Sequence, residues 1–205
     1  MKDWTGNSRS YASVLGARNF AVEDRETHDY YATDPKSLEV FLERLKKDNI
    51  ELNNDIWECA CGEGHLSNVL MRGGYNVLST DLVDRNYGES NIDFLEQKEI
   101  WEGDILTNPP YKYAKEFVEH SMELLEDHNK CIMFLKLQFL EGKARRKMFE
   151  KYPPKYVYVF SERQRCAMNG DFDKYENEGN TRGAVAYCWY IWEKGFNGEP
   201  IIRWI

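Results

Sequence analysis

The chain has 205 residues, 42% of them hydrophobic and 14% aromatic, which suits one domain of ordinary size with a real core and excludes a disordered chain. No stretch approaches the roughly 18 uninterrupted apolar residues of a membrane span, and the opening "MKDWTGNSRS" lacks the apolar centre of a signal peptide. A cytosolic protein is therefore expected, although its net charge of −8 is unusual for a nucleic-acid enzyme.

Residues 1–28 are polar and weakly periodic and read as an arm, leaving 29–205 as one domain. "TDPKSLEVFLERLKKDNI" predicts a helix with Asp34 as N-cap and Pro35 at its first position. Leu38, Phe41, Leu42 and Leu45 recur at helical spacing and mark its buried face. "DIWECA" predicts a strand stopped by the glycines of "CGEG". "HLSNVLMRGGY" predicts a helix, and "NVLSTDL" a second strand.

A third apolar run, "DILT", stops at Pro109-Pro110. "YAKEFVEHSMELLED" predicts an amphipathic helix, "KCIMFLKLQFL" a strand, "ARRKMFEKY" a helix and "KYVYVF" a strand. A polar insertion over 161–183 precedes the long strand "AVAYCWYIWEKG", and "PIIRWI" predicts a closing edge strand. Strands alternating with helices imply an α/β fold with a mainly parallel sheet. The late strands, with no helix between them, imply an antiparallel edge.

Five cysteines, none at zinc-finger spacing, read as free thiols, and four scattered histidines give no metal motif. In such sheets ligands sit at the carboxyl ends of the strands. Gly62 and Gly64 there let the backbone approach a ligand, but Ser67 replaces the third small residue of a dinucleotide fingerprint. Asp81, after the second strand, suits a ribose diol, so the pattern fits a nucleoside cofactor without close phosphates. After the third strand, Asn108 offers a side-chain carbonyl and Pro109 a main-chain one. Proline rigidity fixes both, and Tyr111 adds a face for a planar group. Two converging acceptors suit an amino group. Lys143, Arg145 and Arg146 head a basic stretch that reads first as a solvated helix face.

"NPPY", downstream of "ECACGEG" and "TD", resembles the signature of S-adenosylmethionine-dependent DNA adenine-N6 methyltransferases. With "DYYATDP", "STDLVDRNYG", "DFL", "MFLKLQFLEGKARR" and "AVAYCWYIWEKG", the likeness extends to the compact methyltransferases common in bacteriophages and prophages, over most of residues 29–195. The order of these elements resembles the gamma-type arrangement. An aromatic often found at the position of Ala60 is missing.

The resemblance implies a Rossmann-like class I methyltransferase fold, DNA as partner, and a bacterial or phage-infected bacterial cytoplasm. Tyr31, Thr33 and Pro35 would flank the methionine end of the cofactor. Glu58, Gly62 and Gly64 would cradle it, Asp81 would hold its ribose, and Asp93 with Phe94 would meet its adenine. Asn108, Pro109, Pro110 and Tyr111 would form the catalytic site. Lys143, Arg145 and Arg146, with Arg163 and Arg165, would face phosphate. Tyr187 or Trp189 would supply a second aromatic wall. Specificity would rest on loops or on a separate partner subunit, and the chain could form a homodimer. The same site could instead take an RNA adenine or a protein glutamine amide, or persist in a non-catalytic binding module.

Overall fold

A computed structural model of the chain describes residues 31–162, 164, 166–168 and 185–205. The arm at 1–28, Arg163, Arg165 and most of the 161–183 insertion lie outside the described residues.

In chain order the elements are β1 (Tyr31–Thr33), α1 (Pro35–Lys47), β2 (Asp55–Glu58), α2 (His65–Arg72), β3 (Asn76–Ser79), β4 (Asp104–Thr107), α3 (Ala114–Leu124), β5 (Lys130–Lys136), α4 (Lys143–Lys151), β6 (Tyr156–Val159), β7 (Cys166–Met168), β8 (Tyr187–Glu193) and β9 (Ile201–Trp204). Short 3-10 turns occupy Phe94–Glu96, Tyr111–Tyr113 and Leu137–Leu140.

Seven strands form one sheet in the order β3-β2-β4-β5-β8-β6-β9, a Rossmann-like α/β architecture. The strands from β3 to β5 are parallel neighbours. β8 runs antiparallel to both β5 and β6, and β9 lies parallel to β6 at the outer edge. The antiparallel pairing thus falls in the late half of the sheet, with β8 inserted between β5 and β6. β1 pairs separately with β7, antiparallel, so the polar insertion holds a strand that its composition does not announce.

The sheet is buried on both faces, as its near-continuous apolar strands require. On one face, Trp57, Ile105, Cys131, Met133 and Trp192 pack with residues of α3 and α4. On the other, Ile56, Leu106, Ile132, Phe134 and Trp189 pack with α1 and α2. The α1 start matches its sequence signal: the Asp34 carboxylate accepts the Lys36 N–H at 3.0 Å and Pro35 takes the first helical position. Leu38, Phe41, Leu42 and Leu45 are all buried.

One strand is shorter than its apolar pattern suggests. β5 ends at Lys136, and Leu137–Leu140 turns away as a 3-10 segment. The turn lets Phe139 fold under Tyr190 and Trp192, at ring-centroid distances of 5.8 and 6.4 Å. Apolar content alone does not distinguish that tuck from two more strand residues.

Candidate active site

The carboxyl ends of β2, β3 and β4 open into one cavity of about 460 Å³. The segment beyond each strand tip builds part of its wall.

After β2 comes Glu58, only 2% exposed, and then Cys59, Ala60 and Cys61 on the cavity wall. Burial pushes the Glu58 carboxyl up to about 8, against the opposing hydrogen bond that Ser67 donates to it. At neutral pH it is therefore mostly a neutral acid. Ser67 Oγ also lies 2.7 Å from Ser79 Oγ, which links β2, α2 and β3 through one polar chain. Cys59, Cys61, Cys131 and Cys188 are free, buried thiols, and burial raises Cys61 to about 12. Among the described residues no group of three or more acidic, Cys or His side chains could hold a metal ion.

The glycine loop turns through left-handed backbone, with φ of 55° at Gly62 and 78° at Gly64. Neither glycine borders the cavity. A methyl group on Gly64 would lie 2.3 Å from Tyr87 Cζ, so the space kept clear at this glycine is filled by a tyrosine ring of the chain itself. The role of Gly64 is thus to admit Tyr87, a residue absent from the sequence reading because nothing in spacing ties positions 64 and 87 together.

After β3 comes Asp81, on the cavity wall. Its Oδ2 accepts the Gly62 N–H at 2.8 Å and its Oδ1 accepts the Val83 N–H at 2.8 Å. Each carboxylate oxygen retains further acceptor capacity, so Asp81 can hold its own loop and receive two ligand hydroxyls. Asp93 and Phe94 also line the cavity. Asp93 accepts the Leu95 N–H at 2.9 Å, and Phe94 is fixed edge-on against Trp57, with ring centroids 5.2 Å apart.

After β4 come Asn108, Pro109, Pro110 and Tyr111, all on the same cavity. The Pro110 carbonyl accepts the Tyr113 N–H at 2.8 Å and closes the 3-10 turn. The Pro109 carbonyl and the Asn108 carboxamide are the acceptors that this strand tip can present to a ligand. Tyr111 borders a second, smaller cavity of about 130 Å³, which Lys136, Gln138 and Arg145 also line. Lys136 Nζ lies 4.7 Å from the centroid of the Tyr111 ring, a cation–π contact that fixes the ring. Lys136 was missed in the sequence, although its place at the end of a parallel strand marks it by the strand-end rule.

Thr33, 2% exposed on β1, also reaches the main cavity. Its Oγ1 has no hydrogen-bond partner among the described residues. A buried hydroxyl left so at a cavity wall fits a polar ligand there. Tyr31 falls on β1, while Pro35 begins α1 and does not line the cavity.

Two expectations on the substrate side need correcting. Trp189 is fully buried, stacked on Phe41 at 4.9 Å and 11°, and its indole N–H donates to the Ser37 carbonyl at 3.4 Å. It is core and cannot wall a base. Tyr187, two residues earlier on the same strand face, stacks on Phe134 and lies 6.1 Å from Tyr111. Arg145 is likewise committed: its guanidinium donates to the carbonyls of Phe139 (2.7 Å), Gln138 (3.4 Å) and Glu141, tying down the turn between β5 and α4. Arg146 pairs with Glu150 at 2.8 Å on the surface, and Lys143 is exposed at the start of α4.

Neither a family model nor a curated protein sequence matches the chain. Solved structures do. A Listeria monocytogenes protein assigned to the class I S-adenosylmethionine-dependent methyltransferases superposes with a TM-score of 0.55 at 12% identity, over 93% of this chain and 69% of that one. A Pyrococcus horikoshii protein assigned as an RNA methyltransferase gives 0.56 at 10%, over 92% and 100%. The methyltransferase subunit of a type I restriction-modification system from Streptococcus thermophilus gives 0.58 at 15%, over 86% of this chain and 48% of the subunit. This chain shares the Rossmann-like fold of class I methyltransferases.

Proposed function

We propose that the chain is an S-adenosylmethionine-dependent methyltransferase acting on the N6 amino group of adenine in DNA, with the base flipped out of the stack. The observation that carries this reading is the position of Asn108, Pro109 and Tyr111. They stand at the tip of a parallel strand, on the cavity that Glu58, Asp81 and Asp93 also border.

The cavity fits the cofactor by the chemistry of its walls. Asp81 suits the ribose diol and Asp93 the adenine, while the Thr33 hydroxyl and Glu58 offer polar contacts to the methionine end. S-adenosylmethionine, when bound, supplies an electrophilic methyl group on a sulfonium. The rest is done by the chain. The Asn108 carboxamide oxygen and the Pro109 carbonyl accept the two hydrogens of the substrate amino group, which raises electron density on nitrogen and orients its lone pair. Tyr111, held from one side by Lys136, stacks on the base, and the smaller cavity beside it supplies room for part of the flipped nucleotide. In this transfer the amino nitrogen would gain the methyl group as the methyl–sulfur bond breaks, and the proton then shed by the methylated nitrogen would pass to water, so orientation and electrostatics suffice without a strong general base.

A second reading keeps the scaffold and changes the substrate to an RNA adenine or a protein glutamine amide. It is favoured by the net charge of −8 and by the engagement of Arg145 with backbone carbonyls instead of solvent. Methyl transfer from labelled cofactor to adenine-containing DNA, RNA and glutamine peptides separates the two. DNA labelling abolished by Asn108→Ala supports the first, and labelling of peptide or RNA alone overturns it.

A further inference from the structure

β9 forms the outer edge of the sheet beside β6, and no described strand pairs with its other side. Its odd-numbered residues turn their backbone groups inward: the Ile201 N–H donates to the Lys155 carbonyl at 3.1 Å and the Ile205 N–H to the Val159 carbonyl at 2.9 Å. The backbone groups of Ile202 and Trp204 therefore point outward. One of them is occupied, because the Trp204 carbonyl accepts from the Arg44 guanidinium at 2.8 Å. The side chains are unusual for an edge: Ile201, Ile202 and Trp204 are 46%, 51% and 63% exposed. The opposite edge, β3, exposes no large apolar side chain, so of the two edges of this sheet only β9 offers apolar side chains beside its outward backbone groups.

We propose that this edge is an interface for a second copy of the chain, paired antiparallel through β9 about a two-fold axis at Ile202. In that register Ile202 faces the partner's Ile202 and the two exchange both of their hydrogen bonds. Trp204 faces the partner's Pro200. The Trp204 N–H donates to the Pro200 carbonyl, and Pro200 has no N–H to return. The carbonyl that would have received it is the one Arg44 already holds. The missing donor and the occupied acceptor thus coincide. Charge selects the same register. An axis at Arg203 would set two like charges face to face, whereas the axis at Ile202 sets Arg203 opposite the partner's Ile201, with the partner's Glu199 on one diagonal and the partner's Arg203, ion-paired with its own Asp48, on the other. Arg203 itself is held for this by Asp48 and by the Tyr156 ring, 5.0 Å beneath it.

Sedimentation of the full chain at micromolar concentration tests the interface independently of any methyl transfer. Wild type is expected at twice the mass of one chain, and Ile202→Lys, which places two ammonium groups on the axis, at the mass of one with an unchanged circular dichroism spectrum. Oxidative cross-linking tests the register. The Cα atoms of a hydrogen-bonded pair lie about 5.5 Å apart, within the disulfide range, so Ile202→Cys should form a covalent dimer and Trp204→Cys should not. Monomeric wild type, dimeric Ile202→Lys, or cross-linking as efficient at 204 as at 202 would each overturn the proposal.

Discussion

Replacing Glu58 by glutamine removes one proton equilibrium while keeping the shape of a buried group. Burial raises the Glu58 pKa from 4.5 to about 8, opposed by the Ser67 hydrogen bond. Below about pH 4.5 the folded and unfolded chains both hold the proton, and its contribution to stability is fully present. Between those values the folded chain keeps a proton that the unfolded chain has released, so wild-type stability falls as pH rises and stops falling once pH passes about 8. The slope approaches roughly 1.4 kcal/mol per pH unit over a span of about 3.5 units, a loss of a few kcal/mol. Glu58→Gln, whose amide oxygen can still accept from Ser67, has no such slope. Urea unfolding of both proteins from about pH 5 to about pH 9 reads the difference directly: the variant should gain on wild type steadily and then level off. Stability curves that run parallel across that range refute a neutral Glu58.

Asn108→Ala should cut methyl transfer by about 100-fold or more while calorimetric affinity for S-adenosylmethionine stays within a few-fold; equal loss of both contradicts the assigned role. Asp81→Asn should weaken cofactor binding by roughly tenfold, from one less favourable charge-assisted contact, and an unchanged affinity removes Asp81 from the ribose. Arg145→Ala should lower unfolding stability by about 1–3 kcal/mol through its unsatisfied carbonyls, with no change in the salt dependence of DNA binding; a shallower salt slope would place Arg145 on phosphate. Gly64→Ala should be destabilising by at least about 1–2 kcal/mol from its left-handed backbone, and more from the Tyr87 ring. Adding Tyr87→Ala should return the second part only, as a double-mutant cycle of unfolding energies would show.

The elements that the sequence announces are those governed by local chemistry. Asp34 and Pro35 mark the α1 start because a cap and a fixed φ act within one turn. The strand tips carrying Asp81 and Asn108 are legible because a parallel sheet brings its carboxyl ends to one side whatever the loops do. What escapes is set by partners distant in sequence. Period-2 aromatics place Tyr187 and Trp189 on one strand face but do not say that Phe41 covers one and Tyr111 adjoins the other. Arg145 reads as a surface charge until the 3-10 turn presents three carbonyls to it. Gly64 reads as room for a ligand until Tyr87 fills the room.

The two backbone amides on Asp81 have a kinetic corollary. A carboxylate already clamped at both oxygens has lost its rotamer freedom during folding, and the loop it clamps has lost its own. Among the described residues, the loop that Asp81 clamps need not assemble around an arriving nucleoside. Association measured by stopped flow should therefore be a single concentration-dependent phase, its rate rising linearly with ligand without a plateau. A plateau in that rate would show instead that part of the pocket orders only when the nucleoside arrives.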